Sequence, residues 1–238
     1  MSISAQQVKE LRERTGLGMM ECKAALTETN GDMEAAADLL RKRAGAKVEK
    51  KAGRIAADGA IGIHVSPDRK TAAMVEVNCE TDFVAKGEEF ASFGVTAAAR
   101  VASSHPADVD ALYKLPLQDG ASATFSQSRE GLVMRLGENI NVRRFERLTT
   151  DKGHIGSYVH GRKIGVLVVM DGGDEALAKD IAMHVAASRP EYVSKDQVPA
   201  AAVAKEKEIF TEQASSSGKP ADIIEKMVMG RVNKYFNE

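Results

Sequence analysis

Apolar residues in the first fifty positions recur at helical spacing and are interrupted twice by glycine. Ser4 followed by Gln7 is a capping-box signal, and Val8 with Leu11 then marks one helix face. Thr15-Gly16-Leu17-Gly18 breaks that pattern; a second short helix carries Met19, Cys22 and Leu26 and stops at Asn30-Gly31. Asp32 caps a third, with Glu34 in its first turn and Arg41, Lys42 and Arg43 expected in its last, where the helix dipole favours cations. Three short helices around so few apolar residues make a marginal core, which predicts a module attached to something larger. The basic stretch Lys47 to Arg54 reads as a solvated linker or helix face.

The centre of the chain reads as two β-rich runs followed by an amphipathic helix, and it does so twice. The first copy has Ile61-Gly62-Ile63-His64-Val65 and Ala73-Met74-Val75-Glu76-Val77, then a helix with Phe90, Phe93, Ala97 and Val101 on one face, ending near Pro106. The second has Ile155-Gly156-Ser157-Tyr158-Val159-His160 and Ile164 to Val169, then a helix marked by Leu177, Ile181 and Val185, ending near Pro190. Close strands joined by short turns imply antiparallel hairpins and an α+β fold. A Ser/Pro/Asp-rich stretch from Ser103 to Ser128 separates the copies, and Glu130 to Leu136 reads as helical. Beyond Pro199, two apolar-periodic segments flank Ser215-Ser216-Ser217-Gly218-Lys219-Pro220, which predicts an antiparallel helical hairpin. The expected boundaries are 1–54, 55–150, 151–198 and 199–238.

The copies are not equal in length. Gly62 to Gly156 spans 94 positions and Val77 to Val169 spans 92, but Pro106 to Pro190 spans only 84. The first copy thus carries eight extra residues between its second strand and its helix, around Asn78-Cys79-Glu80-Thr81-Asp82-Phe83-Val84-Ala85-Lys86. A repeated scaffold does not need them, and loops set on rigid scaffolds are where function concentrates.

Composition narrows the classes. A net charge near −1 gives no basic face for nucleic acid, and no apolar run approaches the roughly 20 residues that span a bilayer. The chain enters its first helix without a signal-like segment, and Cys22 and Cys79 lie too far apart in sequence to form a metal motif, so a reducing cytoplasm is expected. Phosphate-loop, dinucleotide-loop and nucleophile-elbow patterns are absent. Asp171-Gly172-Gly173-Asp174 reads as a turn and helix cap, because its acids would repel a phosphate. The histidines have no zinc spacing, and His160 and His184, in or beside apolar runs, read as satisfied structural histidines, with catalysis or partner contact as the other reading. What remains is surface. Adjacent Met19 and Met20 cannot both be buried by one helix stripe: either one packs and the other is incidentally exposed, or they form an adaptable partner contact, which methionine suits. Phe83 reads as core or as binding anchor; its place in an unrepeated insertion favours the anchor.

At these residues the chain resembles a known family. Thr15-Gly16-Leu17-Gly18-Met19-Met20-Glu21-Cys22-Lys23-Ala24-Ala25-Leu26 resembles the N-terminal signature of the elongation factor Ts family, and Asn78 to Ala85 resembles its second. Gly137-Glu138-Asn139-Ile140-Asn141-Val142-Arg143-Arg144 and His184-Val185-Ala186-Ala187-Ser188 are similar to further family segments. The resemblance implies a guanine-nucleotide exchange factor for elongation factor Tu, in its GDP-bound and nucleotide-free states, with no covalent chemistry and no cofactor of its own. It implies a ubiquitin-associated-like N-terminal module contacting the GTPase through Lys9, Arg12, Met19 and Met20. It further implies that Thr81, Asp82, Phe83 and Val84 insert between GTPase helices and displace Mg²⁺, that Leu136, Gly137 and His160 add contacts, and that the helical hairpin serves association or docking. Family members usually continue beyond the second hairpin helix, so a segment beyond Glu238 that completes the second lobe is also expected.

Two other readings stay open on sequence alone. One is an inert scaffold whose N-terminal module binds helical partners; the other is a small-molecule enzyme with a site between the lobes, which would need a polar cluster.

Overall fold

The computed structural model of the chain describes residues 3–216 and 218–237, so Ser217 of the expected turn and Glu238 lie outside the described residues. The fold is mixed α+β, with three N-terminal helices, antiparallel strand pairs and C-terminal helices. Packing divides it into one unit up to Met183 and a second from His184 onward.

Helix α1 (Ala5–Thr15) starts in the Ser4/Gln7 capping box and ends at Gly16, whose φ of 69° is the left-handed conformation glycine adopts freely. Helix α2 (Met19–Glu28) buries Cys22, Ala25 and Leu26 against Val8 and Leu11. Helix α3 (Met33–Ala52) begins where Asp32 accepts the Glu34 and Ala35 amides. It runs past the expected end: Arg41 to Arg43 lie mid-helix, and Lys50 and Lys51 occupy the last turn. The cause is an apolar stripe that continues through Ala36, Leu40, Ala44 and Val48 at i, i+4 spacing, with Val48 reaching the central core. The basic stretch is therefore largely a helix face.

Strands β1 (Asp58–Val65) and β2 (Thr71–Cys79) form an antiparallel hairpin in which Gly62 pairs with Val75. Helix α4 (Asp82–Ala85) is a single turn, and α5 (Glu88–Ser104) lies across the hairpin. Phe90, Phe93, Ala97 and Val101 pack on Val75, Val77 and Cys79, as the periodicity predicts. Gly62 is required here: a Cβ would stand 2.3 Å from the Gly94 carbonyl oxygen of α5. The Ser/Pro/Asp-rich stretch is more ordered than its composition suggests. It holds α6 (Val109–Lys114) and leads into α7 (Phe125–Leu136), and it buries Leu112 and Phe125 in the core.

Residues after α7, left unassigned by the sequence pattern, form β3 (Asn141–Thr149), which pairs with β2 to complete a β1-β2-β3 sheet. A register shift opposite Glu76/Val77 leaves Arg143 unpaired between Val142 and Arg144. Arg143 and Arg144 consequently both reach the Glu76 carboxylate, at 3.3 and 2.7 Å.

Strands β4 (His154–His160) and β5 (Ile164–Met170) make a separate two-stranded antiparallel sheet, followed by α8 (Glu175–Ser188). Asp174 caps α8 by accepting the Leu177 amide at 2.8 Å, which fits the turn-and-cap expectation for Asp171 to Asp174. The expected α8 face is corrected: Leu177 and Ile181 are exposed and Val185 is half-buried, while Ala178, Ala182 and Ala186 are buried. Gly156 permits this approach, since a Cβ there would meet Ala178 at 2.7 Å. A close-fitting alanine stripe sets the helix orientation and turns the larger side chains outward. His160 and His184 are both exposed, a position from which a partner contact is possible.

In the second unit, α9 (Ala200–Ser215) and α10 (Ala221–Asn237) pack through Ala214, Val228 and Val232, with Phe210 and Phe236 at the margins.

Candidate functional site

The connector between β2 and α5 occupies residues 80–87, against 171–174 between β5 and α8, so the insertion is shared between a longer connector and a longer helix. Thr81 caps α4: its Oγ1 accepts the Val84 amide at 3.4 Å, and its backbone is extended. Ala85 is buried and anchors the turn, Val84 is half-buried, and Phe83 is 84% exposed. A phenylalanine of that exposure inside a well-anchored turn serves no core; the core alternative for Phe83 is set aside.

Two carboxylates hold the turn. Glu138 Oε2 accepts the amides of Glu80 (2.9 Å) and Thr81 (3.0 Å), and its Oε1 accepts the Thr81 hydroxyl at 2.5 Å. Reciprocally, Glu80 Oε1 accepts the Asn139 amide at 2.7 Å and lies 3.5 Å from Arg54. Within the turn, Lys86 pairs with Asp82 at 2.6 Å, and this hydrogen-bonded partner holds the Asp82 carboxyl below its ordinary range. Beneath it, the Cys79 thiol donates to the Thr81 carbonyl at 3.2 Å. Burial first, then the charges of Glu138 and Asp58, push that thiol up to about 11.

The same end of the molecule gathers other expected residues. Gly137 closes α7 at φ 78° and lies beside Glu138; its carbonyl accepts Lys51 Nζ. Leu136 is half-buried against the central core rather than free on the surface. Arg162, in the β4–β5 turn, donates to the Lys86 carbonyl at 2.8 Å. Two residues earlier, His160 Nδ1 lies 3.0 Å from the Tyr158 hydroxyl. The Phe83 loop, the Leu136–Gly137 corner and the turn beside His160 are thus brought together.

Lys9, Arg12, Met19 and Met20 stand apart on the three-helix module. All four are exposed; Lys9 and Arg12 lie three residues apart on α1, and Met19 and Met20 open α2. Met19 is 57% and Met20 75% exposed, so neither is the packed one of the pair. The sequence places Glu80 in the insertion and Glu138 and Asn139 in a family-like segment, but the bracing role of these three and of Arg54 was missed. No local pattern could reveal that pairing, because Glu80 and Glu138 are distant in sequence and matter through backbone amides.

Among the described residues no three His, Cys, Asp or Glu side chains converge as a metal site, and no helix is long and apolar enough to cross a membrane.

Comparison with known proteins agrees with this picture along the chain. The family model described as Elongation factor TS matches residues 80–238. Elongation factor Ts of Methylococcus capsulatus is 57% identical over 238 residues, covering 100% of this chain and 80% of that protein. That of Thioalkalivibrio sulfidiphilus is 58% identical over 239 residues with the same coverage, and that of Legionella pneumophila (strain Lens) is 53% identical over 237. With the Phe83 turn and the Gly137 corner both inside the matched region, the chain belongs to the elongation factor Ts family.

Proposed function

We propose that this chain is a cytoplasmic translation elongation factor that binds elongation factor Tu carrying GDP and accelerates nucleotide release. The observation that carries the reading is Phe83, 84% exposed on a turn fixed from below by Ala85 and from the side by Glu138. Thr81, Asp82, Phe83 and Val84 form the working loop, inserting between helices of the GTPase and displacing its Mg²⁺. Leu136, Gly137 and His160 add contacts beside it. Lys9, Arg12, Met19 and Met20 dock the ubiquitin-associated-like module of residues 1–54 on the GTPase domain. The lobes of residues 55–150 and 151–198 form the core, and the α9/α10 hairpin of residues 199–238 serves association or docking.

Energetics favour a wedge over simple adhesion. Burying one phenylalanine is worth about 1.5–3 kcal/mol, at most about a hundredfold in affinity. That is too little to eject a tightly held nucleotide. Removing the cation that neutralises its phosphates contributes a far larger electrostatic effect. The coupling is reciprocal, so the factor weakens GDP by as much as GDP weakens the factor, and rebinding of free nucleotide completes the cycle.

The test is stopped-flow release of fluorescent GDP from purified elongation factor Tu. Acceleration by the chain, strongly reduced in Phe83→Ala and less reduced in Met20→Ala, is the expected result. Failure of the intact chain to accelerate release, or full activity of Phe83→Ala, would overturn the reading.

A further inference from the structure

An exposed phenylalanine gains by folding back onto apolar surface, so a loop that presents one to solvent needs a restraint. The restraint here is built from the turn after α7. Glu138 takes two consecutive amides and a hydroxyl from Glu80 and Thr81, all of them charge-assisted bonds to a carboxylate. Asn139, itself buried, returns its own amide to Glu80 and donates its side chain to the Ala52 and Arg54 carbonyls at 3.3 and 2.9 Å. Lys51 donates to the Gly137 carbonyl. Three consecutive residues therefore tie the loop to the end of α3, the helix that leads back to the methionine-bearing module.

We infer that Glu138 is a positioning residue for Phe83, and that the Gly137–Asn139 turn fixes the loop in its protruding state before any partner arrives. The proposal rests on the wedge role given to Phe83 above. Preorganisation of this kind removes the cost of ordering the loop during binding and keeps the ring aimed at one place. Glu138 touches neither the nucleotide nor the metal in this scheme; it acts through Thr81.

Two measurements decide the matter. In the free protein, hydrogen exchange by NMR is followed at the Glu80 and Thr81 amides in the wild type, Glu138→Ala and Glu138→Gln, with Val75 and Val77 as internal controls. Exchange at least about tenfold faster at 80 and 81 in Glu138→Ala, with the β2 amides unchanged and Glu138→Gln intermediate, is expected. In the GDP-release assay, Glu138→Ala should lower the maximal rate about tenfold, and Glu138→Gln should restore part of it. Combining Glu138→Ala with Phe83→Ala should add no more than about twofold to the loss from Phe83→Ala alone. Unchanged exchange at Glu80 and Thr81 would overturn the proposal. So would a double variant whose loss is the product of the two single losses, because Glu138 would then act independently of the ring. If Phe83→Ala alone leaves release untouched, the wedge reading fails, and with it Glu138's part in exchange; the amide data then judge the restraint by itself.

Discussion

The two hairpin-plus-helix copies place the same kinds of residue at matching positions and bury them differently. Gly62 meets Gly94 across the strand–helix contact, and 84 positions on from Gly94, Ala178 meets Gly156. At that same offset Phe93 is 6% exposed where Leu177 is 45%, and Ala97 is fully buried where Ile181 is 39% exposed. The first copy gains β3, α6 and α7, which close a core around it; in the second, among the described residues, an alanine stripe faces a two-stranded sheet whose Gly165 lies against Ile61 and Met74 of the first. The β4–β5 pair leans on the first hairpin, where the Arg162 carbonyl accepts the Ile61 amide at 2.7 Å and the Arg69 carbonyl accepts the Ile155 amide at 2.9 Å. The lesson is that the insertion sits on the copy whose helix buries its large apolar side chains among the described residues. A projecting side chain is useful as a wedge only when its base does not yield.

The largest expected effect tests that inequality. Phe93→Ala removes a ring packed edge-on against Phe125, 5.9 Å between centroids, and should cost about 3–5 kcal/mol in urea unfolding. Leu177→Ala, at the matching position, should cost no more than about 0.5 kcal/mol. Equal losses would erase the distinction between the copies.

Next comes the loop itself. Phe83→Ala should lower the acceleration of GDP release by about ten- to a hundredfold, the range set by the burial of one ring. Its unfolding midpoint should be that of the wild type, because the ring contributes nothing to the folded core. A destabilised Phe83→Ala protein would show the ring to be part of the scaffold.

How much of this could be read from sequence follows from how local each cause is. The Ser4 and Asp32 caps, the strand pairs and the α5 face depend on residues within one turn or one alternation, and they were legible. The α8 face was not, because the choice between the Leu177 and Ala178 stripes is made by Gly156 on another element. Strand β3 was hidden by the bulge at Arg143, which breaks its alternation and sets two arginines side by side. In the site, Phe83 could be singled out by counting between repeats, whereas Glu138 could not: its role is to accept amides from a segment 57 and 58 residues away.

The glycine contacts offer a smaller test of the comparison. Gly62→Ala would push a methyl to 2.3 Å from the Gly94 carbonyl oxygen of α5, and should cost about 2–3 kcal/mol. Gly156→Ala meets the Ala178 side chain at 2.7 Å, a less severe approach than 2.3 Å to a carbonyl oxygen. Its cost should stay nearer 1 kcal/mol. Circular-dichroism melts of the two variants rank them, and the reverse order would mean that the second copy is the stiffer one.

The smallest effect at neutral pH concerns the thiol under the loop. Cys79 ends β2 directly beneath Thr81, and its folded pKa of about 11 lies above the ordinary 9.0 through burial and the charges of Glu138 and Asp58. An acid whose folded pKa is raised stabilises the fold through its protonated form. That contribution is whole below the unfolded pKa near 9 and is lost as pH climbs towards 11. Unfolding free energy should therefore be flat in this respect between pH 7 and about 8.5, then decline with a slope that Cys79→Ala removes. The same protonation makes the thiol a poor nucleophile, so alkylation by iodoacetamide at pH 8 should be slow at Cys79 until the chain unfolds. Rapid alkylation in the folded state would mean that the Thr81 turn opens readily, and the rigid base on which the wedge depends would be lost.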